Sequence, residues 1–128
     1  MRPIKFKAKR DENLEWVFGF VQFDYFKGTL VNSYIYVQSE GERDRDFNIY
    51  SVIPSTVCQL IKVINGVEIY EKDYDAEGNM IDYCEECMGY QFFQIDQLKD
   101  VIFCHNCDGN FMVQDHIDEF RILGNVND

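Results

Sequence analysis

The chain has 128 residues, 46% of them hydrophobic and 16% aromatic, and sets 12 Lys and Arg against 23 Asp and Glu for a formal charge of −11. That length suits one compact domain with a real core. The composition excludes a membrane-spanning segment, because no apolar run reaches about eighteen residues, and it disfavours nucleic-acid partners, because an acidic chain repels phosphate backbones on average.

Eleven Phe, eight Tyr and one Trp favour β structure, since flat rings pack well on a pleated surface. Residues 4 to 8 read as a first strand. Arg2, Lys5, Lys7, Lys9 and Arg10 crowd this end of the chain. The period-two rule makes the segment a solvated strand edge, with Ile4 and Phe6 inward and the lysines outward. The competing reading is a local phosphate-binding patch. The basic stretch MRPIKFKAKR lacks the apolar segment of a signal peptide, so a cytoplasmic protein is expected.

Asp11 to Asn13 form a turn, and LEWVFGFVQFDYF alternates loosely as the next strand, where Gly19 marks a bulge or a close backbone approach. Lys27-Gly28 is a turn, TLVNSYIYVQ the returning strand, and residues 39 to 46 a charged, solvated loop. Pro54 breaks the pattern, and Ser55 or Thr56 is placed to cap one helical turn. Asn65-Gly66 between two apolar runs specifies a type I′ hairpin, because both residues tolerate positive φ. Glu77-Gly78-Asn79 makes another turn. The tail is expected to hold a short helix over 114 to 121 and then a terminal strand.

The strongest signal is Cys84-x2-Cys87-x16-Cys104-x2-Cys107, the spacing of a four-cysteine zinc site. Two residues between cysteines let one tight turn aim both sulfurs at a point. Gly89 and Gly109 leave the chain free to bend after each turn, so that amide N–H groups can face the thiolates. YQFFQIDQLKDVIF can supply two strands that bring the knuckles together. Four thiolates at about 2.3 Å fill a tetrahedral Zn²⁺, so the site is structural, with one Zn per chain.

The competing readings fit less well. Disulfides need an oxidising compartment, and the fifth cysteine makes the count odd. A redox Cys-x-x-Cys needs a βαβ context. A zinc deaminase needs a His-x-Glu ahead of its Pro-Cys-x-x-Cys, and both His105 and His116 follow the first pair. His105 is expected to be an exposed bystander in the second knuckle, His116 part of a polar helix face, and Cys58 a small buried apolar residue. DYDAEGNMIDYC resembles the start of a calcium loop, with Asp73, Asp75 and Gly78 at positions one, three and six. Cys84 stands where a bidentate Glu is required, so a hairpin turn stiffened by acidic side chains is the better reading.

Three segments taken together, MRPIKFKAKRDENLEWVFGF, SVIPSTVCQLIKVINGVEIYEKD and DEFRILGNVND, resemble the YopX family of small bacteriophage and prophage proteins. The matching residues are Ile4 to Phe6, Trp16, Phe18-Gly19, Pro54, Thr56-Val57, Gln59, Asn65-Gly66, Ile69-Tyr70-Glu71, Asp73 and Leu123 to Asn125. Cys58 and Lys72 depart from the family's usual glycines, and the cysteine knuckles are not a general family feature. The resemblance implies a mostly β fold with a small helical contribution, a phage or prophage origin, expression in a bacterial cytoplasm, and no enzymatic activity.

The expected fold is β-rich α+β in one domain, residues 1–128. It consists of antiparallel sheets or a partly open barrel with one or two short helices and a zinc-ribbon-like element at about 80–112. The sequence carries no recognisable histidine–carboxylate pair, glycine-rich phosphate loop or nucleophile elbow. The expected function is therefore that of a non-enzymatic, zinc-stabilised phage accessory protein with a protein partner and the possibility of homo-oligomers. The alternative is a nucleic-acid-binding zinc ribbon. The knuckles carry Glu85, Glu86 and Asp108, the strand region between them carries Asp96, Asp100 and only one lysine, Lys99, and four thiolates outweigh one Zn²⁺ by two charges, so no nucleic-acid partner is expected.

Overall fold

The computed structural model describes residues 5–38, 47–109 and 117–128. Ile4, Arg2, residues 39–46 expected as a charged loop, the start of the expected tail helix and His116 lie outside them. The described residues form eleven strands and two single 3₁₀ turns, Pro54–Thr56 and Ile117–Glu119. The fold is mostly β, as expected, in two open antiparallel sheets. No helix among the described residues is long and apolar enough to cross a membrane. The chain divides into two compact units, Met1–Leu60 and Ile61–Asp128.

The first unit contains β1 (Phe6–Lys9), β2 (Trp16–Phe26), β3 (Thr29–Gln38), β4 (Phe47–Ser51) and the start of β5 (Cys58–Ile64), in the order β4-β3-β2-β1-β5. The β2–β3 hairpin closes at Lys27-Gly28, whose φ values of 51° and 79° are those of a type I′ turn. Ala8, Ile35 and Val52 are fully or nearly fully buried, and Phe6, Val17, Val21, Val37 and Val57 pack against them. Gly19 is the close approach rather than a bulge: a Cβ there would lie 2.1 Å from the Tyr36 carbonyl oxygen. The bulge falls between Asp24 and Tyr25.

β1 is not an edge strand. It pairs with β2 on one side and β5 on the other. Its lysines do share the face opposite Ala8, but they are only half-exposed and lie over rings of β2. Thr56 is not an N-cap. Pro54 opens the 3₁₀ turn and Ile53 precedes it without a capping side chain. The Thr56 hydroxyl instead donates to the Ile53 carbonyl at 2.6 Å and accepts from the Lys9 amide at 2.9 Å. Cys58 is completely buried, as expected.

In the second unit the remainder of β5 pairs with β6 (Val67–Tyr70) through Asn65-Gly66, at φ 51° and 80°. The second sheet orders β10-β9-β8-β7-β11, from β7 (Asp73–Tyr74), β8 (Asn79–Cys84), β9 (Gly89–Ile95), β10 (Val101–Cys104) and β11 (Gly124–Asn125). Ile69, Ile81, Phe92, Ile117 and Phe120 form its core. Ile117 and Phe120 reach it from the 3₁₀ turn and the residue after it, which is the described part of the expected tail helix.

The calcium-like segment is a structural turn. The Asp75 carboxylate accepts from the amides of Glu77 (3.0 Å) and Asn79 (2.9 Å). Asp73 is buried and accepts from the Tyr70 amide and the Asn125 side-chain amide, both at 2.8 Å. These carboxylates are turned onto their own backbone and core and do not converge on an ion.

Candidate metal centre

Antiparallel pairing assembles the site. β8 ends at Cys84, the chain turns through Glu85, Glu86 and Cys87, and β9 leaves at Gly89, which stands opposite Cys84 in the ladder. β9 then turns at Asp96, whose carboxylate accepts from the amides of Leu98 (2.8 Å) and Asp100 (3.0 Å). β10 returns from that turn and ends at Cys104, opposite Phe93. The segment between the knuckles therefore supplies two strands, as its sequence suggested.

The four sulfurs of Cys84, Cys87, Cys104 and Cys107 lie within 4.8 Å of one another, and the group could hold a metal ion. The separations are 3.6 Å for Cys84–Cys107, 3.9 Å for Cys87–Cys104 and 3.2 Å for Cys87–Cys107. A tetrahedron with metal–sulfur bonds of about 2.3 Å places its sulfurs about 3.8 Å apart. A disulfide needs about 2.05 Å, and all five cysteines are free thiols. Cys58 is not part of the cluster.

The inner pair, Cys84 and Cys104, is buried, Cys87 is half-buried and Cys107 is exposed. The site therefore sits at the surface with one flank in solvent. The Asn106 side-chain amide donates to the Cys87 sulfur at 3.2 Å.

Amide donors do face the sulfurs, but they come from within the knuckles rather than from the glycines. The Cys87 backbone amide draws the Cys84 thiol below its ordinary pKa. Burial raises the Cys104 thiol, and the amides of Cys107 and Asn106 oppose that shift. The Cys107 thiol is raised, first by its contact with the Cys87 sulfur. Crowded sulfurs without a cation resist ionising together, and a divalent metal reverses that balance by binding the thiolate form. The bend differs too: in the first knuckle Met88, not Gly89, adopts positive φ (56°), while in the second Gly109 does so (79°).

His105 is not the exposed bystander expected from sequence. It is 8% exposed, its amide donates to the Phe92 carbonyl at 2.9 Å, and its Nε2 lies 2.9 Å from Asn79 Oδ1. Its ring meets Phe103 edge-on with centroids 5.0 Å apart, and burial pushes its pKa down. His105 follows the last residue of β10, and its amide bond to the Phe92 carbonyl continues that ladder; no local sequence signal marked it as buried. His105 is a core prop for the second knuckle and stands outside the four-sulfur cluster.

No protein-family model matches the chain, and neither the curated proteins nor the solved structures give a match. The resemblance to the YopX family rests on the sequence motifs alone.

Proposed function

We propose that the protein is a non-enzymatic binding protein whose second unit is held by one structural Zn²⁺ on Cys84, Cys87, Cys104 and Cys107. The observation that carries this reading is the closed four-sulfur set. Four thiolates leave a tetrahedral zinc no open position for water or substrate, and borderline-soft Zn²⁺ suits an all-sulfur site that needs no redox change.

The expected ligand of this unit is another protein. Met88 in the first knuckle is 80% exposed, Leu98 in the β9–β10 turn is 81% exposed, and Val101 and Ile102 on β10 are exposed as well. Apolar side chains of this size on a short edge strand suit a protein contact. The acidic residues around the knuckles disfavour phosphate there. The YopX resemblance adds a phage or prophage accessory role in a bacterial cytoplasm.

Metal analysis of protein purified under reducing conditions tests the first part, with about one Zn per chain expected. Crosslinking in infected cells, comparing the zinc-loaded chain with a Val101→Asp/Ile102→Asp variant, tests the second. A crosslinked protein lost in the variant supports the reading. Full zinc with an unchanged crosslinking pattern overturns the proposed contact surface.

A further inference from the structure

Residues 18–23 read Phe-Gly-Phe-Val-Gln-Phe. They match the last six places of the eight-residue pattern, basic residue-Gly-aromatic-Gly/Ala-Phe-Val-x-aromatic, with which sheet-based RNA-recognition modules present stacking rings. The first two places differ, being Trp16 and Val17 instead of a basic residue and glycine. Alone, a pattern of this length is weak. Here it lies on a strand and faces the way the chemistry requires.

Phe18 and Phe20 alternate onto one face of β2, where they are 41% and 53% exposed, while Val21 turns to the core. Gly19 lets β3 approach so closely that no side chain fits between the strands. Tyr36 stands opposite Phe20 in the ladder and adds a third ring to the face. On the other side Lys7 stands opposite Phe18 and Lys9 opposite Trp16. Nζ of Lys5 lies 5.7 Å from the Phe18 ring centroid, and those of Lys7 and Lys9 lie 4.4 and 5.6 Å from that of Trp16. Three cations thus flank a row of rings on a chain whose net charge is −11.

We infer that this face of the first unit binds single-stranded nucleic acid, with bases on Phe18, Phe20 and Tyr36 and phosphates along Lys5, Lys7 and Lys9. This departs from the sequence expectation of no nucleic-acid partner. That expectation rested on the acidic composition and knuckles, and on a basic cluster at the opposite end of the chain from them. Flat rings beside ammonium groups are complementary to an unstacked strand, which offers π-faces and a phosphate at each step. They do not fit a duplex, whose bases are stacked away. Stacking on rings and contacts to phosphate do not distinguish ribose from deoxyribose, so RNA and DNA strands are expected to bind alike.

Trp16 is the only tryptophan and lies at this face, so it reports occupancy without any substitution. The experiment titrates the zinc-loaded full chain with oligouridine and oligothymidine of about eight nucleotides. It follows Trp16 quenching and anisotropy near 150 mM salt, where non-specific attraction is weak. Micromolar binding of both strands is expected, with a duplex at least tenfold weaker. Phe20→Ala, a substitution at an exposed ring, should weaken binding about tenfold. Lys7→Glu should also weaken it and flatten the salt dependence.

No binding, equal binding of duplex and single strand, or an affinity unchanged in both variants overturns the inference. Equal competition by polyglutamate, which would mark an acidic-peptide site, also overturns it. So does self-association that buries Trp16 and excludes the oligonucleotide.

Discussion

Asn125 and Asp73 lock the second sheet from its far edge: Asn125 Nδ2 donates to Asp73 Oδ1 at 2.8 Å, and the two residues are 3% and 2% exposed. The other Asp73 oxygen accepts from the Tyr70 amide, and Asn125 Nδ2 also reaches the Glu71 carbonyl at 3.0 Å. Asp73→Asn would turn an acceptor into a donor facing donors. Leaving buried polar groups unmatched costs about 1–3 kcal/mol, and Asn125→Ala should fall in the same range. Urea unfolding checks both, and an unchanged midpoint would show that the contact is not maintained in solution.

Gly19 and Gly28 make a paired test of why each is glycine. At Gly19 the obstacle is the Tyr36 carbonyl oxygen, 2.1 Å from where an alanine Cβ would sit, so β2 and β3 must separate to admit the methyl group. Overpacking of this kind costs about 1–3 kcal/mol. At Gly28 nothing lies within 4 Å, and only the φ of +79° opposes a side chain, which costs about 1–2 kcal/mol. Asparagine tolerates that φ and should rescue position 28 but not position 19. Thermal unfolding of the four variants decides it.

Removing the metal should affect the two units unequally. Structural zinc in small sites contributes about 10–16 kcal/mol of apparent binding energy, and of the proposed ligands Cys84 and Cys104 end β8 and β10 while Cys87 and Cys107 lie in the turns that follow. A strong chelator, or Cys104→Ser, should raise amide exchange between residues 80 and 109 and leave the core around Ile35 protected. Cys58→Ser should keep full zinc stoichiometry, because Cys58 lies outside the cluster, and should stay folded, because the serine hydroxyl can take over the bond that the Cys58 sulfur makes to the Thr56 carbonyl at 3.4 Å. Zinc loss in Cys58→Ser would overturn the ligand assignment.

Tyr70 predicts the alkaline behaviour. Burial first, and then Glu68, whose carboxylate accepts its hydroxyl at 3.2 Å, push the phenol well above its ordinary pKa. The folded value is the raised one. Its contribution to stability is therefore intact below about pH 10, where the unfolded phenol titrates, and is lost as pH rises towards the folded value. One such proton steepens the decline by at most about 1.4 kcal/mol per pH unit. Tyr70→Phe should flatten the decline above pH 10, and identical slopes in the two proteins would refute the assignment.

Much of the fold was legible because its turns are local. Lys27-Gly28 and Asn65-Gly66 announced their hairpins through residues that accept positive φ, and the cysteine spacing announced the four-sulfur cluster. The errors lie where distant partners decide. β1 looked like an edge because nothing near it in sequence names β2 and β5 as its two neighbours. His105 looked exposed because its partner, Asn79, is 26 residues away. The aromatic face was hidden by composition: β2 carries Phe18 and Phe20 on one side and Phe23 on the other, so the rings themselves do not say which side is core. The spacing Phe-Gly-Phe-Val-x-Phe did contain that signal.

The Asp73–Asn125 pairing also sets an order of assembly. The ladders β8–β9 and β9–β10 join strands adjacent in sequence, and the sulfurs of Cys84 and Cys107 close a separation of only 23 residues. The β7–β11 lock spans 52 residues. Contacts between near neighbours lose less chain entropy on closure and form sooner. In refolding of the full chain the cysteine meander is thus expected to close before β11 docks on β7. That order predicts an intermediate of the second unit in which the four sulfurs are already gathered while the β7 edge is still unpaired. In pulsed hydrogen exchange of refolding protein, the amides of β9 should gain protection ahead of the Leu123 amide, which bonds the Tyr74 carbonyl beside that edge. Simultaneous protection would mean that the unit closes in one step.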